Sequence, residues 1–543
     1  MNQEESAQLA SNHLQSLLSE GAAERLLAKE GEYFSSDPAV AGFISSFLGW
    51  VDAPVRTSLL ANEIESFVGR VARDGFTDAV ICGMGGSSLS SLVWASCGFT
   101  DAAKGLRLHV LDSTAPADVR HIRNQLDLAK TLVVVASKSG TTVEPLAFEE
   151  YFWDELQDLP NPANHMVAIT DPGSEMAKRA QQREYRQVFL GEPEVGGRFS
   201  AFTVFGMVPA ALIGLPIAEM LEAVQERMPG KSQEHIALGA WLGSNALAGH
   251  DKLTILTKGL DTFALWIEQL IAESTGKQGR GILPLAEEPE QNASFYGADR
   301  SFLLIGDASF CDAKEHKFSS FPAKSMIVDS PVSLANAMYD LEVATAIAGK
   351  MLGVNPFDQP NVQAAKVIAQ EKIKEVQEFG SIDFGAIAAS KGDITIFGEQ
   401  AGLVKGLLQA FISEVNQGDH LGLLAYTGES AEFSAAISNF RQQLIQKNRI
   451  ATSFGYGPRY LHSTGQFHKG GPATQHFIVF TGGDSNDVDI PTFGVTFGQL
   501  KTAQALGDIG ALRSSGRQVL HIDLGDHPDK SMRLLLREIS DEF

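Results

Sequence analysis

Four hydroxyls and one glycine are packed into Ser137-Lys138-Ser139-Gly140-Thr141-Thr142, with Glu144 just beyond. The stretch follows the β-branched run Thr131–Ala136 and precedes a helix-like segment, 143–156. A strand that hands over to a helix leaves free backbone N–H groups and the positive end of a helix dipole, and both favour an anion. Phosphate binding is the chemistry this offers. A Ser/Thr-rich N-cap with nothing bound has the same composition.

Other stretches could act beside it. Gly83-Met84-Gly85-Gly86-Ser87-Ser88 lets backbone N–H groups approach an oxyanion closely. A dinucleotide loop would want a third glycine where Ser88 stands, with Asp112 as the ribose-binding acid, so a phosphate or sugar-hydroxyl loop fits the serines better. Gly196-Gly197-Arg198-Phe199-Ser200 sets an arginine after two glycines. In Glu268–Lys277, Gln269 and Glu273 are four apart and share a helix face. Glu273 falls in the last turn, where the negative end of the dipole favours a carboxylate that takes up a proton, as a general base must. Gly276 reads as the residue just past the helix end. Asn355-Pro356-Phe357-Asp358-Gln359 breaks a long helix, and Lys366 lies about two turns on from Gln359 if the next helix reaches that far back.

These residues need a scaffold, and the hydrophobic pattern describes one. Residues up to about 50 have helical spacing, with Leu14, Leu17, Leu18, Leu26 and Leu27. From Phe76 strands and helices alternate, with strands at 78–81, 106–111, 131–136, 166–170 and 187–190. A second block has strands at 253–256, 302–305 and 325–328. A third has them at 393–397, 421–425, 450–454, 477–480 and 519–522. This is an α/β chain whose parallel sheets are covered on both faces and bind ligands at the C-terminal strand ends. The expected divisions are a helical N-terminal segment (1–74), two doubly wound parallel-sheet domains (75–230 and 231–378) and a C-terminal α/β domain (379–543).

Composition narrows the partners. At 543 residues the chain exceeds one core, and 44% hydrophobic with 20% charged residues describes a soluble globular protein. A formal net charge of −23 argues against nucleic acid or an anionic membrane as the main partner. Cys82, Cys97 and Cys311 form no paired or metal-ligand spacing, which fits a reducing compartment. No apolar run is long enough to span a membrane and the N-terminus is acidic, so a cytoplasmic location is expected. No helical histidine pair with a nearby acid suggests a metal site, and no cofactor is expected.

The order Gly-Gly-Ser, Ser-Lys-Ser-Gly-Thr-Thr, Gly-Gly-Arg-Phe-Ser, Glu-Ser-Thr-Gly-Lys and Asn-Pro-Phe-Asp-Gln-(six residues)-Lys resembles the glucose-6-phosphate isomerases. Those enzymes are built from two sugar-isomerase (SIS) domains. The wording is most similar to the isomerase half of bifunctional transaldolase/phosphoglucose isomerases, and continues to His462-Ser463-Thr464-Gly465-Gln466-Phe467-His468. The first 75 residues are too few for a transaldolase barrel. The resemblance implies that Ser137, Ser139, Thr141 and Thr142, with Lys138 beside them, bind the phosphate of a sugar phosphate. Gly86 and Ser87 would line the sugar. Glu273 would carry a proton between C2 and C1 through a cis-enediol, with Arg198 stabilising the enediolate. Gln269 and Gln359 would bind substrate, and Lys366 would assist ring opening. The reaction is redox-neutral and calls for no metal or nicotinamide.

One family feature has no counterpart. The family's ring-opening histidine sits in an Asn-Gly-Gln-His segment supplied by the partner subunit, and here only His316, among charged neighbours, lies between Glu273 and Lys366. His462 and His468 are the alternatives, and a homodimer and a transaldolase partner stay open with them. Three other functions also stay open: a non-catalytic sugar-phosphate sensor, an NAD-dependent oxidoreductase, and a dual phosphoglucose/phosphomannose isomerase. The last rests on Thr275, which stands where many such isomerases carry asparagine.

Overall fold

The computed structural model describes residues 1–99, 105–483 and 485–540. Its first sheet contains β1 (Asp78–Gly83), β2 (Arg107–Leu111), β3 (Thr131–Ala136), β4 (Met166–Thr170) and β5 (Gln187–Leu190). The order is β2-β1-β3-β4-β5, and every pairing is parallel. Strands β1 and β3 are wholly buried, as continuous apolar runs covered on both faces should be.

The second sheet has β6 (Lys252–Thr257), β7 (Leu283–Leu285), β8 (Arg300–Gly306) and β9 (Ala323–Ile327), in the parallel order β7-β6-β8-β9. Strand β7 has no expectation from sequence: a three-residue Leu-Pro-Leu run carries no period to read.

The third sheet contains β10 (Ile387–Lys391), β11 (Ile394–Phe397), β12 (His420–Tyr426), β13 (Ala451–Tyr456) and β14 (Gln475–Thr481). A small ribbon, β15 (Asp489–Ile490) and β16 (Val495–Thr496), precedes the closing strand β17 (Gln518–Asp523). The sheet order is β10-β11-β17-β14-β12-β13, with β10 and β11 as an antiparallel flap on a parallel core.

The parallel parts of all three sheets share one wiring. The first strand is flanked by the second on one side and the third on the other, and the fourth follows the third. In the first sheet this puts the topological switch between β1 and β3. The loops leaving their C-terminal ends are Met84–Ser88 and Ser137–Thr142, which therefore open side by side.

One continuous apolar cluster runs from Ala10 through both early sheets to Phe357. The N-terminal helices are part of it. Phe67 meets Phe189 edge-on, and Trp50, wholly buried, stacks on Phe199 at 5.0 Å. Leu17 and Leu26 are buried, whereas Leu27 faces out.

The third sheet has its own core, yet it is pinned to the rest by buried charge. Arg459 grips Asp112 with two hydrogen bonds of 2.7 Å and pairs with Glu429 at 2.8 Å. Glu288, paired with Arg300 inside the second block, accepts the Thr452 amide at 2.9 Å. Such pairs are costly to break from one side, because the remaining charge is left buried.

Because Trp50 ties the N-terminal segment to the loop that carries Arg198, Trp50→Ala should destabilise by about 3–5 kcal/mol. A melting temperature unchanged from the wild type would exclude that role.

Candidate active site

A cavity of about 740 Å³ lies where the three blocks meet. Gly86, Ser87, Ser137, Lys138, Ser139, Thr141, Thr142, Arg198, Gln269, Glu273, Gln359 and Lys366 all line it. The first block supplies the anion side. The helix Val143–Glu155 begins at Thr142 with no side-chain cap, so its first turn faces the cavity without an internal acceptor from that residue. Within the turn Ser137 accepts the Gly140 amide at 3.2 Å, and the Ser139 and Thr141 hydroxyls are 2.9 Å apart. Gly140 has φ +68°, and a Cβ there would meet the Met176 amide nitrogen at 2.2 Å. Lys138 is committed elsewhere, to Asp171 at 2.8 Å and the Glu192 carbonyl at 3.0 Å.

Gly86 is required by close approach, since a Cβ would lie 2.0 Å from the Gly197 carbonyl oxygen. That approach brings the Arg198 loop over the β1 loop. Arg198 is buried and donates to Ser274 Oγ at 2.8 Å, Gln359 Oε1 at 2.9 Å and the Asp358 carbonyl at 3.1 Å. Its Nη1 lies 3.2 Å from Glu273 Oε1. Burial pulls the guanidinium below its ordinary value, while Glu273 and Asp358 oppose the shift.

Glu273 sits near the end of the helix Asp261–Thr275, with Gln269 one turn earlier donating to its other oxygen at 3.3 Å. Gly276 closes that helix at φ −75°, not in the left-handed conformation expected of a residue just past a helix end. Its need for glycine is steric: a Cβ would meet Phe467 Cα at 2.5 Å. Lys277, buried, pairs with Asp358 at 2.9 Å and holds the loop that seats Arg198. Burial and the neighbouring Arg198 push its ammonium down to about 7, against the pull of Asp358.

The helix bearing Lys366 begins only at Gln363, so it does not reach back to Gln359; Pro360 interrupts the path. Gln359 reaches the cavity from the loop and Lys366 from the helix.

The three histidines part company. His316 is exposed in the last turn of the helix Ala308–Lys317, beside Lys314 and Lys317, and does not line the cavity. The sequence puts His316 forward as a site residue; in this chain a charged surface helix holds it away from the cavity. His468 is buried against Phe477 and Tyr460, and burial drives its imidazole well below the usual range. His462 alone of the three lines the cavity. Its Nε2 lies 2.9 Å from Glu144 Oε1, and its carbonyl accepts from Gln269 Nε2 at 2.7 Å. Burial alone would raise the Glu144 carboxyl, but His462 and Lys366 outweigh it and hold it below the ordinary glutamate range.

Two further alternatives lose their footing. Asp112 is buried in its bond to Arg459 and does not line the cavity, so it offers nothing to a ribose. Thr275 is turned into the scaffold, donating to the Ile271 carbonyl at 2.8 Å and accepting the Ile282 amide at 3.0 Å. Gln504 and Leu461, from the third block, also line the cavity; Leu461 adjoins the His462 stretch, whereas nothing in the sequence neighbourhood of Gln504 marks it. Among the described residues no cluster suited to a metal ion occurs, and no helix is long and apolar enough to cross a membrane.

Residues 59–280 match the family model for phosphoglucose isomerase. Over this stretch the chain is similar to the phosphoglucose isomerases. A glucose-6-phosphate isomerase from Thermus thermophilus is 27% identical over 415 residues, covering 66% of this chain and 94% of that protein. One from Methanocaldococcus jannaschii is 25% identical, over 56% of this chain and 86% of its own length. One from a Cyanothece species is 34% identical over 40% of this chain and 44% of its own length. Among solved structures, a hypothetical protein from Thermus thermophilus superposes with a TM-score of 0.56 at 24% identity, covering 69% of this chain and 99% of that one. A glucose-6-phosphate isomerase from Chlamydia trachomatis gives 0.53 at 21%, covering 65% and 79%. These two likenesses agree with the fold.

On the same helix as Glu273, Glu268 is buried and its carboxyl is pushed up to about 8. The folded state then holds a proton that the unfolded state releases near 4.5, so stability falls as pH rises from about 4.5 to 8. Glu268→Gln should remove that fall, gaining about 3–5 kcal/mol at pH 8 and little at pH 5. Calorimetric melting at the two pH values tests it; a constant gap between variant and wild type would refute the assignment.

Proposed function

We infer that the protein is an aldose–ketose isomerase that interconverts glucose 6-phosphate and fructose 6-phosphate. The observation that carries this reading is the convergence of Glu273, paired with Arg198 at 3.2 Å, and the Ser137–Thr142 turn on one cavity. Ser137, Ser139, Thr141, Thr142 and the helix N-terminus behind them hold the phosphate, while Lys138, neutralised by Asp171, braces the turn. Binding energy at that end orients C1 and C2 toward the carboxylate.

In the closed sugar, ring opening moves the proton of the anomeric hydroxyl to the ring oxygen. His462, backed by Glu144, takes and returns that proton, with Lys366 and Gln359 beside the substrate. Glu273 then removes the C2 proton of the open aldose. The electron pair forms the C1–C2 double bond, and the developing enediolate oxygen is stabilised by Arg198. The hydroxyl proton then passes from O2 to O1, and as the O2 oxyanion collapses to the ketone the double-bond electrons take the proton back from the same carboxyl at C1, giving the ketose. Hydrogen has moved from C2 to C1 with no net oxidation. A sensor that only binds sugar phosphate has no need for a carboxylate paired with a buried arginine at the far end of the cavity.

Glu273→Gln should fold normally and lose about 10³-fold in kcat. Retention of most turnover in a coupled isomerisation assay would remove Glu273 from the mechanism. His462 and Glu273 serve the same cavity of one chain, so mixing Glu273→Gln with His462→Ala chains should restore no activity. Recovery on mixing would mean that the histidine crosses between chains.

A further inference from the structure

His462 reaches the cavity from the third block, and what aims it there is not on its own loop. Glu144 Oε1 lies 2.9 Å from His462 Nε2 and also accepts a hydrogen bond of 2.7 Å from Gln504 Nε2. Gln504 is 4% exposed, in the middle of the third-block helix Phe497–Ser514. Its other amide atom, Oε1, accepts from Thr114 Oγ1 at 2.8 Å, and Thr114 follows β2 in the first block, fully buried.

The donor and acceptor roles along this line allow one arrangement. A carbonyl oxygen cannot donate, so the Thr114 hydroxyl gives its hydrogen to Gln504 Oε1. The Gln504 amide is thereby held with its NH₂ toward Glu144. A carboxylate only accepts, so the His462 nitrogen facing it must carry hydrogen. In neutral His462 that leaves Nδ1 as the basic nitrogen.

We propose that Gln504 is a positioning residue for proton transfer at the cavity: clamped by Thr114, it fixes Glu144 and, through Glu144, the tautomer and orientation of His462. The third block is then a working half of the site, giving the histidine and the amide that orients its partner. This rests on the isomerase reading above as far as activity is concerned, but the tautomer does not.

Two substitutions separate hydrogen bonding from packing. Gln504→Glu keeps the shape and replaces the donor NH₂ by an acceptor, and Gln504→Met removes both bonds. Each is measured for isomerisation and for exchange between the α and β anomers of glucose 6-phosphate by NMR. The ¹⁵N signals of His462 are read without substrate and assigned against His462→Gln. At pH 8 both variants should lose about tenfold in both rates, with KM within about twofold of wild type. The His462 signals should depart from those of an Nε2–H imidazole. Gln504→Glu should regain rate as pH falls toward 6, because a protonated carboxyl can again donate to Glu144, and Gln504→Met should not.

Wild-type rates in Gln504→Glu at pH 8, or unchanged His462 signals in both variants, would overturn the proposal. A wild type that neither isomerises nor exchanges anomers would instead defeat the functional reading, and the ¹⁵N signals would still decide the role of Gln504. Glu273→Gln, measured alongside, should keep anomer exchange while losing isomerisation.

Discussion

The guanidinium of Arg198 is the pin on which the lining of the cavity depends. It leaves a loop of the first block, yet its donors are spent on the second: Ser274 beside the base, Gln359, and the backbone of the Pro356–Asp358 segment. A planar fork with several donors can satisfy these acceptors at once, which an ammonium could not. Its position also gives a cation to Glu273, a partly buried carboxylate in the last turn of a helix, where the dipole opposes negative charge. Lys277 supports the same segment through Asp358, so two buried cations are balanced by two carboxylates that keep some access to water.

The neighbouring positions of the Ser137–Thr142 turn and the Met84–Ser88 loop follow from topology. Because β1 and β3 are neighbours while β2 lies outside them, two loops distant in sequence open together. Glycines at 85 and 86 let other segments touch this loop: at Gly85 a Cβ would meet the His462 carbonyl oxygen at 2.7 Å, and at Gly86 the Gly197 carbonyl oxygen. The site is thus assembled by backbone contact as much as by side chains.

Much of this was legible in the sequence. Strands β3, β4 and β5 coincide with their predicted runs, residue for residue; for β3 and β4 the reason is that fully buried parallel strands are continuous and apolar. The motif residues around the turn, the base and the arginine could be read because each needs a particular residue type at a particular spacing. The histidine could not be chosen that way. His316 stands among charges and His462 and His468 in one glycine-containing stretch, yet none of these surroundings says whether a surface helix, a packed core or a cavity wall receives the ring. Gln504 left no trace at all, since its helix is buried on most sides and carries no clear polar face against which an inward glutamine would stand out.

The common wiring of the three sheets has a consequence for how such a cavity can be completed. A pair of these sheets leaves one wall open, and here the third, joined through the helix Gln363–Phe379, closes it with Leu461, His462 and Gln504. A wall tethered by one helix is present at an effective concentration of the order of millimolar or more. The three residues of that wall are thus covalently joined to the walls they complete.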